Sequence, residues 1–220
     1  MQEHHIQVTK TARYYTLGNL TEHTKEIWIV IHGYAQLAKT FLSHFSFMEQ
    51  ESRFIIAPEG LNRFYSRGFG GNPEGKLAHP SGVATWMTSE DRESEIADYT
   101  AYLETLMQTL VPKHFNGKIM LLGFSQGVAT ATRWLQRTAL PISHLIIYAG
   151  EIAIELREPI SEKLQTIPVT YITGTRDPLL KPEQKILVQA LMQQLHARVV
   201  EFEGGHEIKP GPLQQFMQSL

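Results

Sequence analysis

The sequence predicts an α/β fold in which one domain, residues 1–220, holds a mostly parallel eight-stranded sheet with helices on both faces. Two observations carry this prediction. Six short apolar runs recur along the chain, and most are near-continuous, which is typical of parallel strands buried on both faces. Helical patterns fall between these runs, and strands that alternate with helices form parallel sheets.

The strands are predicted in the following order. Residues Ile6–Lys10 and Arg13–Leu17 alternate in hydrophobicity and predict an antiparallel N-terminal hairpin. The six apolar runs that follow are Ile27–Ile31, Phe54–Ala57, Ile119–Leu122, Leu145–Tyr148, Val169–Ile172 and Val199–Phe202. Binding sites of open α/β sheets lie in loops beyond the carboxyl ends of the strands, so catalytic residues are expected there.

Four helices are predicted from apolar residues spaced three and four apart. They cover Phe41–Met48, residues 90–110, Val128–Leu135 and the region of Leu187, Leu191 and Leu195. The segment Gly60–Thr85 does not fit the alternation and holds six of the chain's 16 glycines. Because loops of this length are usually functional or disordered, we expect it either to wall the active site or to cover surface.

Composition excludes several classes of protein. The formal net charge is −2 and no basic cluster occurs, which argues against binding to nucleic acid or to an anionic membrane. The chain has no cysteine, which excludes disulfide scaffolds, cysteine-ligated metals and a cysteine nucleophile. No apolar stretch approaches the length of a membrane span and the N-terminus does not resemble a signal peptide, so we expect a soluble cytoplasmic protein.

The candidate nucleophile is Ser125. It lies in Gly123-Phe124-Ser125-Gln126-Gly127, a G-x-S-x-G sequence between a predicted strand and a predicted helix. This context is the one that a nucleophile elbow requires, because a sharp turn there projects the serine oxygen above the sheet. The alternative is a serine that only caps the helix.

The partners of Ser125 are expected later in the chain, in the order acid and then histidine. Asp177 follows the strand that ends at Ile172 and is the candidate acid, with Glu151 as its rival. His206, in Gly204-Gly205-His206-Glu207, is the histidine that follows the last strand, and we expect it to act as the general base. No spacing of histidines or acids suggests a metal site, and no cofactor is expected.

Two backbone N–H groups are expected to stabilise the oxyanion of an acyl-transfer reaction. One belongs to Gln126, directly after the nucleophile. The other belongs to Tyr34, in the turn Ile31-His32-Gly33-Tyr34 after the third strand. His32 is interpreted as a structural hydrogen-bonding residue rather than a second base.

The motifs HGY, GFSQG, TGTRDP and GGHE occur in this order across nearly the whole chain. In this it resembles the phospholipase/carboxylesterase family of α/β-hydrolases, which includes acyl-protein thioesterases. The resemblance implies the α/β-hydrolase fold, the triad Ser125, Asp177 and His206, and oxyanion donors at Tyr34 and Gln126. It also implies a place near the substrate for Trp86, for which a core position is the alternative.

The sequence therefore predicts a serine hydrolase that cleaves a small carboxylic ester through an acyl-enzyme, with thioesters and lysophospholipids as further candidate substrates. His32-Gly33-Tyr34-Ala35-Gln36 stands where the family often has HGLGD, and Val128 stands where a further glycine is common. Two alternatives remain, a ligand-binding protein on a hydrolase scaffold and an acyltransferase.

Overall fold

The computed structural model describes residues 1–66 and 81–219. The strands within these ranges are β1 (Tyr14–Leu17), β2 (Glu26–Ile31), β3 (Arg53–Pro58), β4 (Asn62–Ser66), β5 (Ser81–Thr85), β6 (Lys118–Phe124), β7 (Ile142–Tyr148), β8 (Val169–Gly174) and β9 (Arg198–Phe202). The α-helices are α1 (Ala38–Ser43), α2 (Arg92–Leu110), α3 (Gln126–Arg137), α4 (Glu162–Thr166), α5 (Pro182–Gln194) and α6 (Pro210–Met217).

Seven strands form the main sheet, in the order β1-β3-β2-β6-β7-β8-β9. All neighbours pair in parallel except β1, which runs antiparallel to β3. This confirms the α/β class and the mostly parallel sheet, and each of the six apolar runs lies within a strand. Because these strands run parallel, the carboxyl ends of β2, β6, β8 and β9 lie at one edge of the sheet.

The predicted eighth strand is wrong. Residues Ile6–Lys10 have no regular structure, and the side chains of Ile6 and Val8 are largely exposed. Only the second strand of the predicted N-terminal hairpin forms; it is β1, which pairs with β3 at the edge of the sheet. An alternating pattern predicts a strand with one buried face. Residues 6–10 do not pair with a sheet edge, so their apolar side chains are not buried and no strand forms.

The core lies on both faces of the sheet because successive side chains of a strand point in opposite directions. On β2, Ile27 and Ile29 belong to the apolar cluster on the face that also holds residues of α2, α3 and α5. Trp28 and Val30 belong to the cluster on the opposite face, with residues of α1 and α6. All four side chains are fully buried. Burial on both faces explains why the strand reads as a continuous apolar run rather than as an alternating one.

Two further predictions differ in detail. The predicted helix Phe41–Met48 is divided into α1 and a short 3-10 helix, Ser46–Met48. The predicted loop Gly60–Thr85 contains an antiparallel ribbon of β4 and β5, in which Asn62 pairs with Thr85. The rest of that predicted loop, residues 67–80, lies outside the described residues. No helix within the described ranges has the length and hydropathy needed to cross a bilayer.

Candidate active site

Ser125 lies between the end of β6 and the first residue of α3. Its φ of 53° and ψ of −122° put a non-glycine residue in strained backbone at a positive φ. Its N–H donates to the Tyr148 carbonyl (3.0 Å), and its carbonyl accepts from the Val128 N–H (3.0 Å). These contacts stabilise a sharp strand-to-helix turn, which is the geometry predicted for a nucleophile elbow.

The glycines two positions before and after Ser125 are required by close packing. A Cβ added at Gly123 would lie 2.5 Å from the Gly127 carbonyl oxygen. A Cβ added at Gly127 would lie 2.2 Å from the carbonyl oxygen of Ile31 on β2. Both distances are far below van der Waals contact, so the G-x-S-x-G spacing is explained by strand, turn and helix approaching each other at this point.

Asp177 and His206 form a direct hydrogen bond. His206 Nδ1 lies 2.7 Å from Asp177 Oδ2, and the other carboxylate oxygen accepts the Leu179 N–H at 2.9 Å. The Asp177 side chain is almost fully buried, and that of His206 is 19% exposed. Because Nδ1–H donates to the carboxylate, Nε2 is the nitrogen that can accept a proton.

Glu151, the rival acid, is not bonded to His206. Its carboxylate accepts a hydrogen bond from Arg157 Nη2 at 2.7 Å. The structure thus pairs the histidine after β9 with the acid after β8, the combination favoured by the sequence.

One cavity of about 390 Å³ is lined by Ser125, Gln126, Asp177 and His206. These residues come from three separate regions of the chain that meet at the carboxyl edge of the sheet. The rest of the wall comes from α3, residues 149–154, Arg157, Tyr171 and Leu179–Leu180. The cavity therefore offers space for a substrate next to the candidate nucleophile and its candidate base.

His32 is fully buried behind this cavity, and the main chain occupies both of its ring nitrogens. The Gly60 N–H donates to Nε2 at 2.9 Å, so Nδ1 carries the proton and donates to the Gly33 carbonyl at 2.7 Å. Burial lowers the pKa of His32 to about 4, which keeps the ring neutral. This agrees with the structural role expected for His32.

The same hydrogen bond orients the candidate oxyanion donor. The Gly33–Tyr34 peptide is trans, so the Tyr34 N–H points opposite to the Gly33 carbonyl that His32 holds. A Cβ added at Gly33 would lie 3.1 Å from Ser125 Cβ, which shows that this turn packs directly against the elbow. The ring of Tyr34 is exposed and lies against Phe64 of β4, with centroids 5.5 Å apart.

Trp86 is 1% exposed and is not among the residues that line the cavity containing Ser125 and His206. Its indole N–H donates to the His32 carbonyl at 2.9 Å, and the two rings lie 5.0 Å apart. This favours the core alternative for Trp86. We assign it to support of the His32 turn rather than to substrate contact.

Sequence reasoning considered only the backbone of Gln126, but its side chain is also engaged. Its Oε1 accepts from the Thr85 hydroxyl (2.9 Å) and the Trp86 N–H (3.2 Å), and its Nε2 donates to the Met87 carbonyl (2.9 Å). The side chain thus connects the elbow to the segment between β5 and α2. No local motif signals these contacts, because the partners lie about 40 positions away in the chain.

Two arginines of the cavity wall were also missed. Arg133 lies on α3 two turns after Ser125, and the four-residue steps Ser125, Ala129 and Arg133 could have indicated a shared helix face. Arg133 Nε bonds Glu155 Oε1 at 2.5 Å, and this hydrogen bond lowers the pKa of Glu155 to about 2. Since Arg157 is likewise paired with Glu151, both guanidinium groups in the wall are neutralised by a carboxylate.

Possible metal ligands cluster at one place in the described part of the chain, where Glu3, His5 and Asp91 lie together on the exposed surface. None of the candidate catalytic residues belongs to this cluster. The residues that converge on the cavity instead form a serine, histidine and carboxylate arrangement, which is suited to nucleophilic attack on an acyl carbon.

Known structures share this fold. Acyl-protein thioesterase 2 of Zea mays superposes with a TM-score of 0.68, with 17% identity over 95% of this chain and 97% of that chain. A phospholipase/carboxylesterase from Dyadobacter fermentans gives a TM-score of 0.63, with 16% identity over 97% and 98% of the two chains. These similarities confirm the α/β-hydrolase fold that the motifs predicted.

Sequence comparison adds the family. The protein called esterase FUS5 of Gibberella moniliformis is 31% identical over 127 residues, which are 56% of this chain and 51% of that protein. The match spans about half the length of this curated relative. A family model described as "Serine hydrolase (FSH1)" matches residues 22–212, which include every candidate catalytic residue. The chain therefore belongs to the FSH1 family of serine hydrolases.

Proposed function

We propose that this protein hydrolyses carboxylic esters, with thioesters and lysophospholipids as further candidate substrates, through an acyl-enzyme on Ser125. The observation that carries the proposal is the Asp177–His206 hydrogen bond facing the same cavity as the strained Ser125 turn. Membership of a serine hydrolase family and similarity to an esterase support it. The proposal keeps the cytoplasmic location expected from the sequence.

In the first step, His206 Nε2 accepts the proton of the Ser125 hydroxyl as the oxygen attacks the carbonyl carbon. The Asp177 carboxylate stabilises the resulting imidazolium and keeps the ring in the productive orientation. The N–H groups of Tyr34 and Gln126 donate to the oxyanion of the tetrahedral intermediate. His206 then protonates the departing alcohol or thiol, and the acyl group remains on Ser125.

In the second step, His206 accepts a proton from water, which attacks the acyl-enzyme. Collapse of the second tetrahedral intermediate releases the acid and returns the proton to Ser125. No cofactor takes part in either step. Because both arginines in the wall are paired with carboxylates, neither is left to bind an anionic group of the substrate, so among these candidates uncharged esters fit the cavity better than lysophospholipids.

The test compares Ser125→Ala with the control Ser43→Ala, whose serine is exposed on α1. Hydrolysis of p-nitrophenyl acetate and butyrate should fall by roughly 10⁴-fold or more in Ser125→Ala and stay unchanged in the control. A fluorophosphonate probe should add one label to the wild type and none to Ser125→Ala, as read by intact-protein mass spectrometry. A folded wild type that neither turns over esters nor accepts the probe would favour the ligand-binding alternative.

A further inference from the structure

A second cavity, of about 350 Å³, lies beside the catalytic one. The helix α5 contributes Leu187, Val188, Leu191 and Met192 to its lining. We call this second cavity, between residues 150–158 and α5, the α5 groove. Its lining is mainly apolar, and Ile154 and Leu187 at the groove are 71% and 67% exposed.

The two cavities share a wall. Five residues line both of them, namely Gly150, Glu151, Ile152, Ile154 and Arg157. The charged members of this wall are Glu151 and Arg157, whose side chains are joined by the 2.7 Å hydrogen bond. Arg157 Nε also donates to the Ile152 carbonyl at 2.8 Å, which holds the guanidinium against the wall.

The wall contains a part that can move. The side chains of Arg157 and Glu151 are 28% and 35% exposed, and ion pairs with this much access to water contribute little to stability. Side chains change rotamer without unfolding the backbone that carries them, whereas Gly150 and Ile152 are fixed in the chain that follows β7. Displacement of the pair would take away the two charged side chains that line both cavities.

We propose that the Glu151–Arg157 pair is a partition that limits the length of the apolar group bound next to Ser125. The occupant of the α5 groove is then the distal end of a hydrocarbon arm of an ester whose carbonyl lies at Ser125. Continuity with the catalytic cavity and the apolar lining of the groove both support this occupant, since burial of hydrocarbon favours binding. The inference rests on the proposed esterase function and adds the residues that determine chain-length specificity.

The experiment measures kcat/KM for p-nitrophenyl esters from acetate to dodecanoate. In Arg157→Ala, the ratio of dodecanoate to acetate should rise by roughly tenfold or more, because additional methylene groups become buried in the groove. In Arg157→Ala the Glu151 carboxylate loses its partner. A Glu151→Ala/Arg157→Ala double variant removes that carboxylate as well and should show the same rise in the ratio of dodecanoate to acetate. Lys185→Ala is the control, because Lys185 on α5 forms an exposed ion pair with Glu201 outside both cavities.

Filling the groove gives a second measurement. Leu191 lines the α5 groove but not the catalytic cavity, so Leu191→Trp should return the ratio in an Arg157→Ala background toward the wild-type value. An unchanged chain-length profile in folded Arg157→Ala, or a raised ratio that Leu191→Trp does not reduce, would overturn the partition. Either result leaves Ser125-dependent hydrolysis intact, whereas failure of the proposed function would appear as no ester turnover by the wild type.

Discussion

Two turns at the carboxyl edge of the sheet each carry a histidine close to Ser125, and their environments are opposite. His32 follows β2, is fully buried, and has both ring nitrogens bonded to the main chain. His206 follows β9 and is partly exposed. Its Nδ1 bonds the Asp177 carboxylate, and the ring lines the same cavity as Ser125.

The difference shows that partners and burial, rather than residue type, determine what a histidine does. The surroundings of His32 lower its pKa to about 4 and fix one tautomer, so it is suited to orient a peptide but not to exchange protons. His206 has a carboxylate on one side and substrate space on the other, as a general base requires. The predictions that follow test this division, from the largest expected effect to the smallest.

His206→Gln should cause the largest loss. Without the base, the Ser125 hydroxyl keeps its proton, and kcat for p-nitrophenyl butyrate should fall by roughly 10⁴-fold or more. Steady-state assays on a variant with a wild-type circular dichroism spectrum provide the measurement. If such a variant kept a tenth of wild-type activity, another group would be the base and the contrast between the two turns would collapse.

His32 substitutions should cause a smaller loss that acts on kcat. His32→Gln places an amide near the former Nε2 and loses the Nδ1–H donor, so the Gly33–Tyr34 peptide is released and kcat should fall by roughly 10²–10³-fold, the cost of one oxyanion donor. His32→Asn is the matched control, because its amide nitrogen can take the position of Nδ1 and hold the Gly33 carbonyl. Equal activity in the two variants would mean that His32 does not orient the Tyr34 N–H.

The pH dependence of stability should also report on His32. An unfolded histidine has a pKa near 6.5, and His32 in the fold has a pKa of about 4, so the unfolded state binds more protons between these values. The free energy of unfolding should therefore be insensitive to this group above pH 6.5 and should decrease as the pH falls from about 6.5 to about 4, by up to about 3 kcal/mol. His144, also with a pKa lowered to about 4 by burial, adds a contribution of the same sign.

Urea unfolding at pH 7 and pH 5 measures this effect. The difference between the two pH values should be smaller in His32→Asn than in the wild type, and unchanged in a control, His23→Asn, whose histidine is exposed. If the free energy of unfolding of His32→Asn differed between pH 7 and pH 5 as much as that of the wild type, the pH dependence would come from other groups.

Gln126→Ala should have the smallest effect on catalysis. It keeps the backbone N–H that is proposed to bind the oxyanion, so kcat should stay within roughly tenfold of the wild type. It removes three hydrogen bonds, of which the one from the Trp86 N–H loses its acceptor, whereas the Thr85 hydroxyl and the Met87 carbonyl keep their 3.1 Å bond to each other. The melting temperature should therefore drop, in line with a loss on the order of 1–3 kcal/mol. A folded Gln126→Ala as inactive as His206→Gln would show that the side chain itself is essential.

Local patterns in the sequence were sufficient to predict most of the sheet and the candidate site. The six apolar runs locate strands because a strand buried on both faces must be apolar at every position. Gly123, Ser125 and Gly127 identify the elbow because the strand, the turn and the helix approach so closely that a side chain at position 123 or 127 would clash with the backbone. Asp177 and His206 could be placed because each directly follows a strand, and the ends of parallel strands meet at one edge.

Only the tertiary structure decided which of these residues have partners and which partners they have. The strand expected at residues 6–10 found no sheet edge, Trp86 became a buried donor to His32, and Gln126 acquired side-chain contacts with the segment after β5. The Glu151–Arg157 wall likewise depends on α5 packing beside residues 150–158. Interactions between residues that are near in the sequence indicate which segments form strands, turns and helices. Hydrogen bonds and cavities between distant segments exist only once packing has brought those segments together.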